Sequence, residues 1–190
     1  MGREFELKFR ATKDVIEKIQ KNFPGFSTIQ METAYYDTPG RDLSLRRWTL
    51  RRRMENGASV CTLKTPLGDG SRGEWEVLCD TIEAGVLELC KLQIPDGLAA
   101  LVKDGLVQTC GARFTRLAKT IVLEKTTVEL ALDQGFLLGG GKTLPFAEVE
   151  VELKAGSEET AVAFAEDLAR EFGLSSEPKS KQRRALELIG

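Results

Sequence analysis

The chain has 190 residues, 42% of them hydrophobic and 29% charged, so we expect one globular domain with a sizeable core. It contains no histidine, which excludes Ser-His-Asp and Cys-His catalysis as well as histidine-based zinc sites. Any metal would then be held by carboxylate oxygens, the ligands that Mg²⁺, Mn²⁺ and Ca²⁺ prefer. The net charge is only −2, so the positions of the charges are more informative than their sum.

The cysteines and the apolar segments indicate an ordinary intracellular protein. The four cysteines form no CxxC pair and match no zinc-site spacing. No apolar run approaches the roughly 20 residues that span a bilayer, and the first residues lack the apolar core of a signal peptide. We expect a cytoplasmic protein with reduced thiols, with no membrane or nucleic-acid partner, and with the oligomeric state open, a homodimer being one option.

The first half of the chain is expected to consist mainly of strands. Thr12 is expected to cap a short helix that ends before Pro24. Alternation of apolar and polar residues, together with an Asn56-Gly57 turn, predicts the neighbouring strands. These predicted strands cover residues 4–10, 28–36, 44–54, 58–64 and 73–79.

The second half begins with a helical segment and then returns to strands. Residues 81–105 predict two short helices divided near Pro95, and Ser157 is expected to open a helix that Gly173 stops. Further strands are predicted over residues 112–123, 126–133 and 143–154. The total is about eight strands in hairpin order, which favours an antiparallel sheet. With no repeat and no linker, residues 1–190 are expected to form a single domain.

Charged side chains are grouped on single strand faces, with acids predominant on three strands and bases on others. Because side chains alternate with a period of two, Arg51 and Arg53 share one face while Arg52 lies on the other. The same period groups Glu4 with Glu6 and Lys8, Thr62 with Lys64, Glu74 with Glu76, and Glu148 with Glu150 and Glu152, and Asp133 ends a strand. On any single strand such a face can simply be solvated, but the whole set favours a charged interior.

A charged interior would need a ligand or mutual pairing. Carboxylates that lie close together repel one another, and a divalent cation removes that cost. Arginines two residues apart offer forked donors that match phosphate oxygens. The pattern therefore predicts a site for a metal-bound polyphosphate, while salt bridges between the same acids and bases are the structural alternative.

These residues also resemble the motifs of a known family, the CYTH proteins or triphosphate tunnel metalloenzymes. Glu4-Phe5-Glu6-Leu7-Lys8 is similar to the family's ExExK signature, and later blocks follow in the family's order. They are Tyr35-Tyr36-Asp37-Thr38-Pro39, Leu50-Arg51-Arg52-Arg53, Thr62-Leu63-Lys64, Arg116, Glu129 to Gly135, Glu148 to Leu153, and Ser180-Lys181 with Arg184. Arg46-Arg47 and Ala185 depart from the family's usual small residues.

The resemblance implies an α+β fold in which a closed eight-stranded antiparallel β-barrel, flanked by helices, encloses a triphosphate tunnel. It implies a triphosphatase that uses Mg²⁺ or Mn²⁺, and inorganic triphosphate is the preferred substrate because no nucleobase pocket is evident. Class IV adenylyl cyclase, thiamine triphosphatase and a polyphosphate-binding module without turnover stay open as alternatives, since fold alone does not choose among them.

The site residues follow from the grouped charges and the resemblance together. Lys8 and Glu6 are the expected catalytic residues, and the tail is expected to close the tunnel unless it is solvated. The expected metal ligands are Glu4, Glu6, Asp133, Glu148, Glu150 and Glu152. The expected phosphate-binding residues are Arg51, Arg53, Lys64, Arg116, Lys181 and Arg184. Glu74 and Glu76 could orient the arginines or contact a second metal. For Tyr35 and Trp48, packing is favoured over stacking on an organic group.

Overall fold

The computed structural model describes residues 2–67 and 72–190, and for residues 2–4 it describes the backbone alone. The strands are β1 Gly2–Glu4, β2 Glu6–Arg10, β3 Ser27–Asp37, β4 Thr49–Glu55, β5 Ala58–Pro66, β6 Arg72–Leu78, β7 Val107–Leu123, β8 Thr126–Gly139, β9 Lys142–Ala155 and β10 Ser175–Ser176. The helices are α1 Lys13–Asn22, α2 Asp42–Leu45, α3 Ile82–Leu89, α4 Leu98–Leu101, α5 Glu158–Phe172 and α6 Lys181–Leu186.

Within the described residues, ten strands form one antiparallel sheet in the order β1-β6-β5-β4-β3-β7-β8-β9-β2-β10. The predicted α+β fold with a large antiparallel sheet is therefore confirmed. The closed eight-stranded barrel is not confirmed, because this order runs from β1 at one end to β10 at the other. Two short segments explain the higher number of strands: Phe5 alone separates β1 from β2, and β10 has only two residues.

Side-chain caps set the limits of the longer helices, as the sequence predicts. The Thr12 hydroxyl accepts the Val15 N–H at 3.3 Å at the start of α1. The Ser157 hydroxyl accepts the Thr160 N–H at 3.3 Å at the start of α5, which ends at Gly173 in the left-handed conformation, at φ 65°. The two short helices predicted within 81–105 are α3 and α4.

The chain before β4 differs from the prediction of a strand over 44–54. Helix α2 occupies residues 42–45, and β4 begins only at Thr49. The buried carboxylate of Asp37 accepts the N–H groups of Thr38, Leu43 and Ser44 at 2.8, 2.9 and 3.1 Å. This carboxylate supplies the hydrogen-bond acceptors for a tight turn, and local alternation of residues gives no sign of it.

The tail is also ordered beyond what its composition indicates. Strand β10 pairs with β2, and α6 begins after Ser180, whose hydroxyl accepts the Arg183 N–H at 3.1 Å. Neither element was predicted, because the segment lacks a long periodic pattern.

Helices α1, α3 and α5 cover the apolar side of the sheet, whereas α6 docks on its charged side, where the site lies. Helices α1 and α5 contribute to the core that contains Leu130, Leu132 and Val151, whereas α3 contributes to a second core that contains Leu63 and Trp48. Trp48 is 8% exposed, in agreement with the packing role predicted for it. The alternate residues of the same strands face the opposite side. Among the described residues, no helix is long and apolar enough to cross a membrane.

Candidate active site

A cavity of about 770 Å³ lies along the charged face of the sheet. Its walls come from strands β2 to β9, from the first residue of α5 and from the residues around the start of α6. The predicted site residues that line it are Glu6, Lys8, Arg51, Arg53, Lys64, Arg116, Glu150, Glu152 and Lys181. Asp133, Glu148 and Arg184 are not among its lining residues, and the side chain of Glu4 lies outside the described residues.

One wall of the cavity is acidic, and strand register explains why. In the pairing of β2 with β9, Glu6 lies opposite Glu152 and Lys8 lies opposite Glu150. In the pairing of β9 with β8, Glu152 also lies opposite Glu129. Directly opposite residues project from the same face of a sheet, so carboxylates from three strands converge. The Lys8 ammonium lies within this wall, 4.0 Å from Glu6 Oε1, with 9% of its side chain exposed.

The opposite wall is basic and comes from β4 and β5. Arg51 and Arg53 are each 9% exposed and line the cavity. Arg52 lies on the other face, where its Nε donates to Ser59 Oγ at 2.8 Å, in agreement with the period of two. Lys64 of β5 lines the cavity beside them. The basic wall is therefore a row of donors along neighbouring strands.

Acids of β6 hold part of this basic wall in place. Arg51 NH2 is 3.4 Å from Glu74 Oε1 and 3.6 Å from Glu76 Oε1, and Lys64 Nζ is 3.1 Å from Glu74 Oε1. These contacts correspond to the first of the two roles considered for Glu74 and Glu76, the orientation of the basic residues, while contact with a second metal stays a prediction.

Arg53 lies in a positively charged environment. Its Nε donates to Thr33 Oγ1 at 3.3 Å and its NH1 donates to Glu55 Oε1 at 3.3 Å. Burial lowers the pKa of Arg53, and the positive charges of Arg51 and Arg116 lower it further. An anion bound beside Arg53 would relieve this repulsion.

A buried cluster of three acids lies next to the cavity. Carboxylate oxygens of Asp133, Glu148 and Glu150 lie within 4.8 Å of one another. The Lys181 ammonium is 2.8 Å from Asp133 Oδ2, 2.6 Å from Glu148 Oε2 and 2.6 Å from Glu150 Oε1. Burial opposes the charge on Lys181, yet these three acids raise the pKa of its ammonium well above its ordinary value. Lys181 therefore serves as the cation of the cluster.

Arg116 joins this cluster to the cavity. Its Nε and NH2 donate to the two carboxylate oxygens of Asp133 at 2.8 and 2.7 Å, and NH2 also donates to Glu150 Oε2 at 2.5 Å. Burial alone would raise the pKa of Glu150, but Lys181 and Arg116 hold it well below its ordinary value. The pairing between bases and acids that we considered as an alternative is thus present at Arg116 and Lys181.

A second buried acid ties the tail to β2. Glu177 is 3% exposed, and its Oε2 accepts from Arg10 Nε at 2.7 Å and from Arg184 NH1 at 3.0 Å. Arg184 NH2 is also 2.5 Å from Glu148 Oε1. Burial alone would raise the pKa of Glu177, but hydrogen bonds from Arg10, the Lys179 N–H and Arg184 lower it to about 2. These contacts dock α6 against the sheet, so the alternative of a solvated basic tail does not hold.

The acidic residues suit a hard divalent cation. All donors are carboxylate oxygens, and in the cluster their spacing within 4.8 Å would suit one ion. Lys181 already meets the charge of that cluster, Glu150 included, whereas Glu6 and Glu152 line the cavity and are not members of the cluster. The residues present therefore fit a metal, and the cavity side of the acidic wall is the part of the site where one could bind without displacing Lys181.

Sequence reasoning overlooked several residues that line the cavity. Glu129, Lys154 and Glu158 lie at the acidic wall, and Arg72 and Glu55 lie at the basic one. Periodicity could have identified two of them, because Lys154 continues the Glu148–Glu152 face and Glu129 lies four residues before Asp133. Lys154 Nζ is 2.8 Å from Glu152 Oε2, so it balances the acid at this end.

Comparison with known proteins adds a family and several relatives. The model of the CYTH domain matches residues 2–186. The chain is 25% identical over 191 residues to an inorganic triphosphatase from Haemophilus influenzae, a match that covers 97% of this chain and 54% of the relative. The chain thus spans about half the length of this curated relative.

Solved structures with the same fold cover almost the whole chain. A protein from Hippeastrum, described as a proposed adenylyl cyclase with a dominant triphosphatase activity, gives a TM-score of 0.73 at 22% identity over 97% of this chain and 95% of its own. The PH1819 protein from Pyrococcus horikoshii gives a TM-score of 0.65 at 25% identity over 97% of this chain and 99% of its own.

Proposed function

Because the chain belongs to the CYTH domain family, we propose that it hydrolyses inorganic triphosphate with the help of Mg²⁺ or Mn²⁺. The observation that supports this most directly is the cavity in which a wall of arginine and lysine faces a wall of glutamate. The name of the Haemophilus influenzae relative, an inorganic triphosphatase, supports the choice of substrate.

The basic wall would bind the phosphate chain. Arg51, Arg53 and Lys64 line the cavity side by side, and guanidinium forks match phosphate oxygens in two-point contacts. A linear triphosphate has negative oxygens on each phosphorus, so a row of donors along neighbouring strands suits it. Arg116 would reach the phosphate chain from between the two walls.

The acidic wall would hold the reacting end. We assign catalytic roles to Lys8 and Glu6: the Lys8 ammonium donates to the terminal phosphoryl oxygens, and the Glu6 carboxylate accepts a hydrogen bond from the attacking water. Their separation of 4.0 Å lets both groups act on one phosphoryl group. In this mechanism the terminal phosphoryl group is transferred directly to water, without a covalent intermediate, and the protein contributes positioning and charge neutralisation.

The cation would be held by Glu6 and Glu152, and Glu150 would join them once Lys181 and Arg116, which now contact its two oxygens, turn toward the phosphates. Glu4 stays a further predicted ligand. When bound there, it would neutralise charge on the transferring phosphoryl group and polarise water. Asp133 and Glu148 belong to the predicted ligand set too, but Lys181 contacts both of them. They would become ligands if Lys181 turned toward the phosphates.

We also propose that the sheet closes into a tunnel and that residues 1–190 form one domain. Phe5 alone separates β1 from β2, yet β1 pairs with β6 and β2 pairs with β9. The N-terminal segment therefore bridges two distant parts of the strand order, as closure requires. The cytoplasmic location stays a prediction, and a homodimer stays one option.

Product analysis tests the proposed function. Purified protein is incubated with inorganic triphosphate, ATP or thiamine triphosphate in Mg²⁺ or Mn²⁺, with chelator as the control. We expect phosphate and pyrophosphate from inorganic triphosphate, at the highest kcat/KM of the three. Cyclic AMP with pyrophosphate from ATP would instead assign a cyclase, and binding without any product would assign a binding module.

A further inference from the structure

Tyr35 is a buried aromatic residue at the cavity wall. It lies on β3, directly opposite Arg51 of β4 and Cys110 of β7, and it lines the cavity although only 5% of it is exposed. Its ring belongs to an apolar cluster with Met31 and Phe114. The ring is thus covered by protein, and little more than its polar tip can meet a ligand.

The Tyr35 hydroxyl lacks a hydrogen-bond partner within residues 2–67 and 72–190, the part of the chain that the structure describes. Among the described residues, no group donates to it or accepts from it. The hydroxyl oxygen is nevertheless not among the fully buried polar atoms that lack a partner. It therefore keeps some exposed surface, and this surface lies at the cavity. A buried tyrosine usually satisfies its hydroxyl, so an open hydroxyl at a cavity wall indicates a ligand contact.

The surroundings of this hydroxyl favour an anionic acceptor. The charged groups that act on it most are Arg51, Arg53 and Lys181, which carry donors and no acceptor. Burial raises the pKa of Tyr35, an effect that these three cations only partly offset. The hydroxyl therefore stays protonated and can donate, and the positive charges around it concentrate negative oxygens beside it.

We propose that the Tyr35 hydroxyl donates a hydrogen bond to a phosphate oxygen of the substrate between Arg51 and Lys181, which makes Tyr35 a substrate-binding residue. The inference rests on the proposed function, because it names a contact within the same site. It replaces the idea that Tyr35 stacks on an organic group, since the ring faces are packed. It also implies that Tyr35 recognises the phosphate chain itself and not the group attached to it.

The test compares Tyr35→Phe with Tyr36→Phe. Each change removes one hydroxyl, but Tyr36 belongs to the opposite face of β3 and packs against the core that contains Trp48. Steady-state hydrolysis of inorganic triphosphate, and its direct binding by calorimetry in chelator, are measured for both variants and the wild type. We expect Tyr35→Phe to lose roughly ten- to hundredfold in kcat/KM with its melting temperature maintained, and Tyr36→Phe to match the wild type.

The outcomes separate this inference from the proposed function. If the wild type binds triphosphate without hydrolysing it, the proposed function fails, and weaker binding by Tyr35→Phe still supports the contact. If the wild type hydrolyses triphosphate and Tyr35→Phe stays within twofold of it, the inference is overturned. A loss with thiamine triphosphate but not with inorganic triphosphate would also overturn it, because that result indicates contact with the organic group. A wild type that neither binds nor hydrolyses triphosphate overturns both.

Discussion

Replacing Arg53 by alanine separates phosphate binding from structural pairing. In the protein without ligand, Arg53 makes one contact with Thr33 and one with Glu55, whose side chain is 35% exposed. The neighbouring charges of Arg51 and Arg116 disfavour its positive charge. Removing Arg53 therefore takes away little native pairing, but it would take away a charge-assisted donor to phosphate.

These contacts set the expected magnitudes. Ion pairs with a partly exposed partner contribute about 0–1 kcal/mol, and relief of repulsion from Arg51 and Arg116 offsets that loss. For a chain of this size, a change of about 1 kcal/mol moves the melting temperature by roughly 2–4 °C, so we expect a shift no larger than that. A lost hydrogen bond to a charged phosphate costs roughly 1.5–3 kcal/mol, or about ten- to a hundredfold in kcat/KM.

The assay measures phosphate release and thermal unfolding for Arg53→Ala and for the control Arg52→Ala. Arg52 lies on the outer face and donates to Ser59, so its loss should leave kcat/KM unchanged. The phosphate-binding role is wrong if Arg53→Ala lowers the melting temperature strongly and activity only in proportion. Equal catalytic losses in the two variants would contradict the assignment of strand faces.

Three further changes test the metal, the acid cluster and the tail. Excess chelator should abolish phosphate release, and Glu6→Gln should lower it with partial recovery at higher Mg²⁺; full wild-type turnover in chelator would refute a metal requirement. Lys181→Met removes the cation of the buried acid cluster, so the free energy of unfolding measured in urea should fall by about 3 kcal/mol or more, and Mg²⁺ should partly restore it. An unchanged free energy of unfolding would contradict the role of Lys181 as the cation of the cluster. Because the pKa of Glu177 is lowered to about 2 from an ordinary 4.5, its stabilisation is present above pH 4.5 and lost as the pH falls toward 2. The free energy of unfolding of Glu177→Gln should therefore be about 1–3 kcal/mol below that of the wild type at pH 7 and should match it near pH 2. A difference of the same size at pH 2 would refute the stabilising role of the Glu177 carboxylate.

Local sequence signals were sufficient for most of the fold. Caps such as Thr12 and Ser157 and the Asn56-Gly57 turn act through neighbours in the chain, so the elements they limit could be predicted. Helix α2 could not be predicted, because it has only four residues and no periodic pattern. The docked tail could not be predicted either, because it depends on partners distant in sequence. Glu177 contacts Arg10 across 167 positions, a pairing that no local rule identifies.

The site shows the same division between local and long-range information. A period of two assigned Arg51 and Arg53 to one face and Arg52 to the other without any structure. It could not indicate that Lys181 would lie among the acids that were expected to hold metal. Nor could it indicate that the Tyr35 ring is packed while its hydroxyl stays open to the cavity.

The amino-acid sequence by itself determined most of the strands, their charged faces and the exclusion of histidine chemistry, because these depend on residue type and on side-chain alternation along one strand. Only the tertiary structure decided which charges meet. Strand register brings Glu6 opposite Glu152, and the docking of α6 brings Lys181 to Glu150. Electrostatic partners are set by distances of a few ångströms between elements far apart in sequence, and neither composition nor spacing specifies those distances.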